Sequence, residues 1–167
     1  MPLEQLDFAV DDETYEGRFV TPPEGDGDSC VVVLPGAGHG PFGNIFDIAT
    51  YELASAGVAS FRFETWTSAD ELDAKSLADL HSELDEAMAC VRDRGYDDVS
   101  LLAKSFGGRI AFTDLPEDVD RVLGWAPAVT FADESRLDDQ YDVALGELED
   151  GLAIAPDDVA DADAPTR

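Results

Sequence analysis

Residues 99–112 constrain the fold of this chain more than any other stretch. An apolar run, Val99-Ser100-Leu101-Leu102-Ala103, meets Lys104-Ser105-Phe106-Gly107-Gly108, and a new apolar pattern with helical spacing follows. A sharp strand-to-helix turn of this kind lifts one side chain, here Ser105, above the edge of a sheet: a nucleophile elbow. The positions two before and two after the serine must be small, because neighbouring backbone crowds them. Ala103 and Gly107 meet that demand, although the usual pattern has glycine at both. The competing reading is a plain strand–turn–helix connection whose serine caps the helix.

The rest of the chain supplies context for such a turn. Residues 6–10 and 14–21 read as two short antiparallel strands joined by the acidic turn Asp11-Asp12-Glu13. Cys30-Val31-Val32-Val33-Leu34 is a continuous apolar run, which suits a strand covered on both faces of a parallel sheet. Pro35-Gly36-Ala37-Gly38-His39-Gly40 follows as a glycine-rich loop. A helix is expected over 44–56 with Ile45, Ile48, Ala49 and Leu53 on its buried face, and Gly57 ends it. Residues 58–63 form the next strand. Asp70 is expected to cap one long helix over 71–94, with Leu72, Leu77, Leu80, Leu84, Ala87, Met88 and Val91 as its buried stripe. A third parallel strand at 99–103, a helix at 106–113 and a fourth strand at 121–126 complete the alternation. Strand and helix alternating from 30 to 127 call for a parallel sheet with right-handed crossovers. Beyond Thr130 the pattern weakens, with an acidic helix over 133–150 the only element to suggest itself. No repeat or linker divides the chain, so a single domain over 1–167 is expected. A chain of this length buries roughly 70% of its unfolded surface.

Charge excludes several functions. There are 38 acidic residues against 10 basic ones, a formal charge of −28, and the acids are spread along the whole chain. Phosphate contacts need clustered Lys and Arg, so neither nucleic acid nor an anionic membrane surface is an expected partner. At moderate salt such a charge opposes compaction. At molar salt the screening length falls to about 3 Å and the penalty shrinks, so the chain reads as the product of a salt-in halophile. Intrinsic disorder is the alternative for acidic chains, but 44% apolar residues in periodic blocks argue against it. No apolar run reaches the roughly 18 residues of a membrane span. Met1-Pro2-Leu3-Glu4-Gln5 lacks the basic start of a signal peptide, so a cytoplasmic location is expected. Cys30 and Cys90 are too few for a disulfide framework and read as buried, unreactive thiols. With only His39 and His81 in the chain, neither metal nor another cofactor is expected.

Hydrolase chemistry on a serine needs backbone N–H donors for the oxyanion of the tetrahedral intermediate. One comes from the residue after the nucleophile, Phe106. The other comes from the loop after an earlier central strand, where Ala37 is the first choice and Gly38 the next. Val-Val-Val-Leu-Pro-Gly-Ala-Gly-His-Gly, Ala-Ser-Phe-Arg-Phe-Glu and Leu-Leu-Ala-Lys-Ser-Phe-Gly-Gly-Arg together resemble the α/β-hydrolase family over residues 5 to 130. The last motif is similar to the elbow Gly-Lys-Ser-Met-Gly-Gly of its small dienelactone-hydrolase-like branch. The resemblance implies a three-layer α/β sandwich on a parallel sheet with an antiparallel N-terminal hairpin. It implies Ser105 as the nucleophile, with His39 and Lys104 supporting the site from outside direct contact with substrate. It also implies an acid and then a histidine after the serine. No histidine follows Ser105, and without a base a serine hydroxyl is a poor nucleophile. The chain therefore reads as a shortened hydrolase domain lacking the last strands and helices, with Ala164-Pro165-Thr166-Arg167 as the lead-in to a missing strand. His39 as the base and Asp133 as the acid are the alternatives within the chain. His81 lies among Asp79, Glu83 and Asp85, where a solvated helix face is expected.

Three functions compete. The first is a serine hydrolase acting on a small ester or acyl substrate. The second is a non-catalytic remnant or interaction module, whose exposed sheet edge and apolar surface predict self-association. The third is a dinucleotide site at Gly36-Ala37-Gly38, but Pro41 stands where the third glycine of that fingerprint belongs.

Overall fold

The computed structural model describes residues 2–10, 13–25, 27–37, 40–66 and 68–128. They fall in one compact unit, Met1–Val129. The acidic helix expected over 133–150, with Asp133, lies outside the described residues. The elements run β1 (Leu3–Val10), β2 (Glu13–Val20), β3 (Ser29–Leu34), α1 (Asn44–Ser55), β4 (Ala59–Phe63), α2 (Ala69–Asp73), α3 (Leu77–Asp93), β5 (Asp98–Lys104), α4 (Phe106–Thr113) and β6 (Arg121–Trp125). No described helix is long and apolar enough to cross a membrane.

The six strands form one sheet in the order β1-β2-β4-β3-β5-β6. β1 and β2 pair antiparallel, and β2 joins β4 antiparallel. β4, β3, β5 and β6 are mutually parallel. The alternation read from the sequence is therefore the architecture, with the hairpin added at one side. From β3 the chain adds β4 on one side and β5 on the other, which brings the loop after β3 beside the end of β5, and a ligand crevice in an open α/β sheet lies at such a switch point.

Alternate residues of β3 serve two cores. Cys30, Val32 and Leu34 face a cluster with Leu80, Leu84, Ala87 and Val91 of α3 and Ile110 of α4, while Val31 and Val33 meet Phe46 of α1. This two-sided burial is why the run is apolar throughout. β4 is also buried at every position, which explains its broken period. Phe61 and Phe63 join the α3 side, and Phe61 stacks on Phe19 with centroids 4.3 Å apart. Arg62 turns to the other face, where Nη1 meets Asp47 Oδ1 of α1 at 2.5 Å.

Two expectations need correction. The long helix over 71–94 is two helices. Ser68, not Asp70, caps α2 by accepting from the Glu71 N–H. Ser76 then starts α3 with a reciprocal capping box: its hydroxyl accepts from Asp79 N–H, and the Asp79 carboxylate accepts from Ser76 N–H. Two caps within eight residues force a break that apolar periodicity alone does not register. The buried face of α1 is also rotated. Phe46, Thr50 and Ala54 point inward, while Ile45 and Ile48 are exposed. The large ring of Phe46 fills the space over Val31 and Val33 and fixes the helix's rotation.

Candidate active site

β5 ends at Lys104 and α4 starts at Phe106, so Ser105 alone makes the corner. Its φ of 48° and ψ of −114° lie where a residue with a Cβ is strained, at a cost of about 1–3 kcal/mol. Surrounding bonds over-determine it. The Ser105 N–H donates to the Trp125 carbonyl at 3.1 Å, and its carbonyl accepts from Gly108 N–H at 2.9 Å and Ala128 N–H at 2.8 Å. The flanking positions are small for reasons that can be measured. A Cβ on Gly107 would stand 2.6 Å from the Leu34 carbonyl oxygen, and one on Gly108 would stand 2.5 Å from Pro127 Cβ. Ala103 is completely buried, with a methyl group as the most it carries. The helix-capping alternative fails, because Ser105 occupies the N-cap position yet its hydroxyl makes no cap bond.

The loop after β3 lies against this corner. A Cβ on Gly36 would be 3.2 Å from Ser105 Cβ and 3.2 Å from Lys104 Nζ, tighter than an ordinary contact, so a side chain there would crowd the loop's approach. Lys104 therefore borders the site. Ala37 follows, half-buried against the core. Among the described residues, no group accepts a hydrogen bond from the Ala37 amide, and none bonds the Ser105 hydroxyl. Phe106 is the first residue of α4, where a backbone N–H has no partner inside the helix. The described geometry thus brings Ser105, Phe106, Gly36 and Lys104 together. Gly38 and His39 lie outside the described residues. The dinucleotide alternative loses its physical basis, because the helix after this loop starts only at Asn44.

Sequence reasoning missed two braces. Trp66, fully buried, donates its indole N–H to the Gly36 carbonyl at 3.3 Å. Its ring meets Phe106 edge-on at 5.6 Å. The turn at the end of β6, residues 125–128, holds both backbone groups of the elbow's serine through the Trp125 carbonyl and the Ala128 N–H, with Ala126 itself at φ 44°. Only Gly108 hinted at the second brace, as a glycine the elbow pattern leaves unexplained.

Other titratable groups are engaged elsewhere. His81 is half-buried and its Nε2 lies 3.2 Å from the Ile110 carbonyl and 3.1 Å from Thr113 Oγ1, which ties α3 to the end of α4. Glu83 is buried and binds Thr65, Lys75 and Tyr15. Burial first, then the Glu13 and Glu83 carboxylates, drive the Tyr15 phenol far above its ordinary range. Burial, reinforced by Cys90, pushes the Cys30 thiol up to about 12, and burial also raises Cys90. Among the described residues no group of three or more His, Cys, Asp or Glu is arranged to hold a metal ion.

No family profile and no curated protein matches the chain. Solved structures do. A dienelactone hydrolase from Anabaena variabilis is similar at 21% identity and a TM-score of 0.63, over 75% of this chain and 63% of that one. The α/β hydrolase GrgF from a Penicillium species is similar at 14% identity and a TM-score of 0.65, over 92% and 56%. Est1E from Butyrivibrio proteoclasticus matches at 14% and 0.61, over 74% and 51%. The chain has an α/β-hydrolase-like fold, and it spans between about half and two thirds of the length of these structures.

Proposed function

We propose that this chain carries a serine acyl-transfer site for a small ester, with Ser105 as nucleophile and the Phe106 and Ala37 amides as oxyanion donors. The observation that carries the reading is the strained corner at Ser105, set against Gly36 with its hydroxyl bound to no described group. In the reaction, Ser105 Oγ bonds to the ester carbonyl carbon and its proton passes to a base. The carbonyl electron pair moves onto oxygen, where two amides stabilise it. On collapse the carbon–alkoxide bond breaks and the alcohol leaves with the proton. Water then hydrolyses the acyl-enzyme by the same route. Each amide donor is worth about 10²–10³ in rate. The histidine that the family places after the serine is not in the sequence given; of the histidines it does hold, His39 is the candidate base, because His81 is committed to α4. The acid excess suits a molar-salt setting, inside the cell, with no nucleic acid or membrane as partner.

The test is turnover of p-nitrophenyl acetate in molar KCl. The wild type is expected to exceed Ser105→Ala by at least tenfold, with His39→Gln falling towards the alanine variant. Equal rates for wild type and Ser105→Ala would remove the proposal. The rival is a hydrolase-like module without turnover, acting through self-association. It is favoured by one observation: no described side chain in reach of Ser105 is bonded to it as a base.

A further inference from the structure

We propose that Trp66 is a positioning residue: it sets the orientation of the Gly36–Ala37 peptide, and thereby of the amide that meets the oxyanion. The inference rests on the reading of Ala37 as a donor. The Gly36 carbonyl and the Ala37 N–H belong to one peptide unit, which is planar and trans, as no described peptide is cis. In such a unit the two groups point in opposite directions. The Trp66 indole N–H holds the Gly36 oxygen at 3.3 Å from within the core. The Ala37 N–H must therefore point the other way, out of the core. Gly36 cannot resist being turned through side-chain contacts of its own, because it has none. Without the indole the peptide plane is free to rotate and the donor is lost from its aim.

Trp66 is itself held at both ends. Its ring packs edge-on against Phe106, whose amide is the other proposed donor. One side chain thus touches both halves of the oxyanion hole. The preceding residue is clamped by a buried ion pair. Glu83 Oε2 accepts from Thr65 Oγ1 at 2.6 Å, and Lys75 Nζ donates to Glu83 Oε1 at 2.7 Å and to the Thr65 carbonyl. The Tyr15 hydroxyl lies 3.0 Å from the same carboxylate and 2.8 Å from Glu13 Oε2, with one proton for the two. A buried carboxylate with a donor on each oxygen, Thr65 on one and Lys75 on the other, is held in place, so the tryptophan arrives from a fixed point on the backbone. The two lysines of the chain, Lys75 and Lys104, thus both serve this assembly: one pins Thr65, the other lies against Gly36.

The test uses the full chain in molar KCl with three readings. In the wild type, the Trp66 indole proton is expected to exchange with solvent at least 100-fold more slowly than free indole; unprotected exchange overturns the proposal, whether or not a variant folds. Trp66→Phe keeps a ring and removes the N–H. It is expected to lower kcat for p-nitrophenyl acetate at least tenfold with KM within twofold; unchanged kcat, or equal loss in kcat/KM through KM alone, overturns it. If the wild type turns over no faster than Ser105→Ala, the hydrolase reading is what has failed. The hold on the peptide is then read from the carbonyl carbon of Gly36 in protein labelled there with carbon-13: a chemical shift in Trp66→Phe displaced in the direction of a lost hydrogen bond supports the proposal, and an unchanged shift overturns it.

Discussion

At the scale of single residues, the site is built by exclusion of side chains. Gly36, Gly107 and Gly108 each stand where a Cβ would collide or crowd, and their absence of side chains lets three backbone segments converge on Ser105. The serine is the one residue at the centre that keeps a Cβ, and it does so in a strained conformation. Strain of this kind persists only where function or packing requires it. It predicts that Ser105→Gly is more stable than Ser105→Ala by about 1 kcal/mol, since glycine accepts φ 48° without penalty. Urea denaturation in molar KCl measures the difference, and an alanine variant more stable than the glycine variant would contradict the strained corner. Ser105 and Gly107 were legible from spacing alone. Trp66 was not, because its partner lies 30 residues earlier in sequence and a lone tryptophan among Thr65, Thr67 and Ser68 belongs to no pattern.

At the scale of elements, apolar runs and periods located the described strands and the helices α1, α3 and α4, but merged α2 into α3, an error made where polar chemistry decides. The break between α2 and α3 is set by Ser68, Ser76 and Asp79 acting through hydrogen bonds to backbone amides, and an apolar stripe passes through it unmarked. The same break places Lys75 at the turn, where its ammonium reaches Glu83. Glu83, mid-stripe on α3 and buried, reads as a surface residue until its three partners are known. The capping box also holds Asp79 below the usual carboxylate range, through its bonds with Ser76. A folded-state pKa that is lowered contributes stability above the ordinary carboxylate range and loses it as pH falls through the lowered value. Ser76→Ala is expected to destabilise the chain at neutral pH by about 1 kcal/mol. A melting temperature unchanged in that variant would show that α3 is positioned without its cap.

At the scale of the whole molecule, two facts pull in different directions. The fold is similar to that of solved hydrolases and esterases, and the corner at Ser105 lies against Gly36 of the loop after β3. Yet His81, the histidine among the described residues, is bonded to α4 and not to Ser105, and no histidine follows Ser105 in the sequence given. Charge adds a condition. Among the described residues Arg18, Arg62, Lys75, Arg92, Arg94 and Arg121 lie in ion pairs with carboxylates, and 38 acids against 10 bases leave a net −28 with no cation to match it. Assays at low salt would set self-repulsion against the fold, so function is to be measured where that repulsion is screened. The sequence disclosed the sheet and the corner because both are patterns of neighbours. It concealed the braces because they join residues brought close only by folding. The most direct measurement is the intact mass of the protein after exposure to a fluorophosphonate in molar KCl. Attack by Ser105 Oγ on phosphorus expels fluoride, and one phosphonyl group is expected on the wild type, mapped to Ser105 and absent from Ser105→Ala. An unmodified wild type, or the same adduct on the alanine variant, would contradict the claim that this serine is a nucleophile.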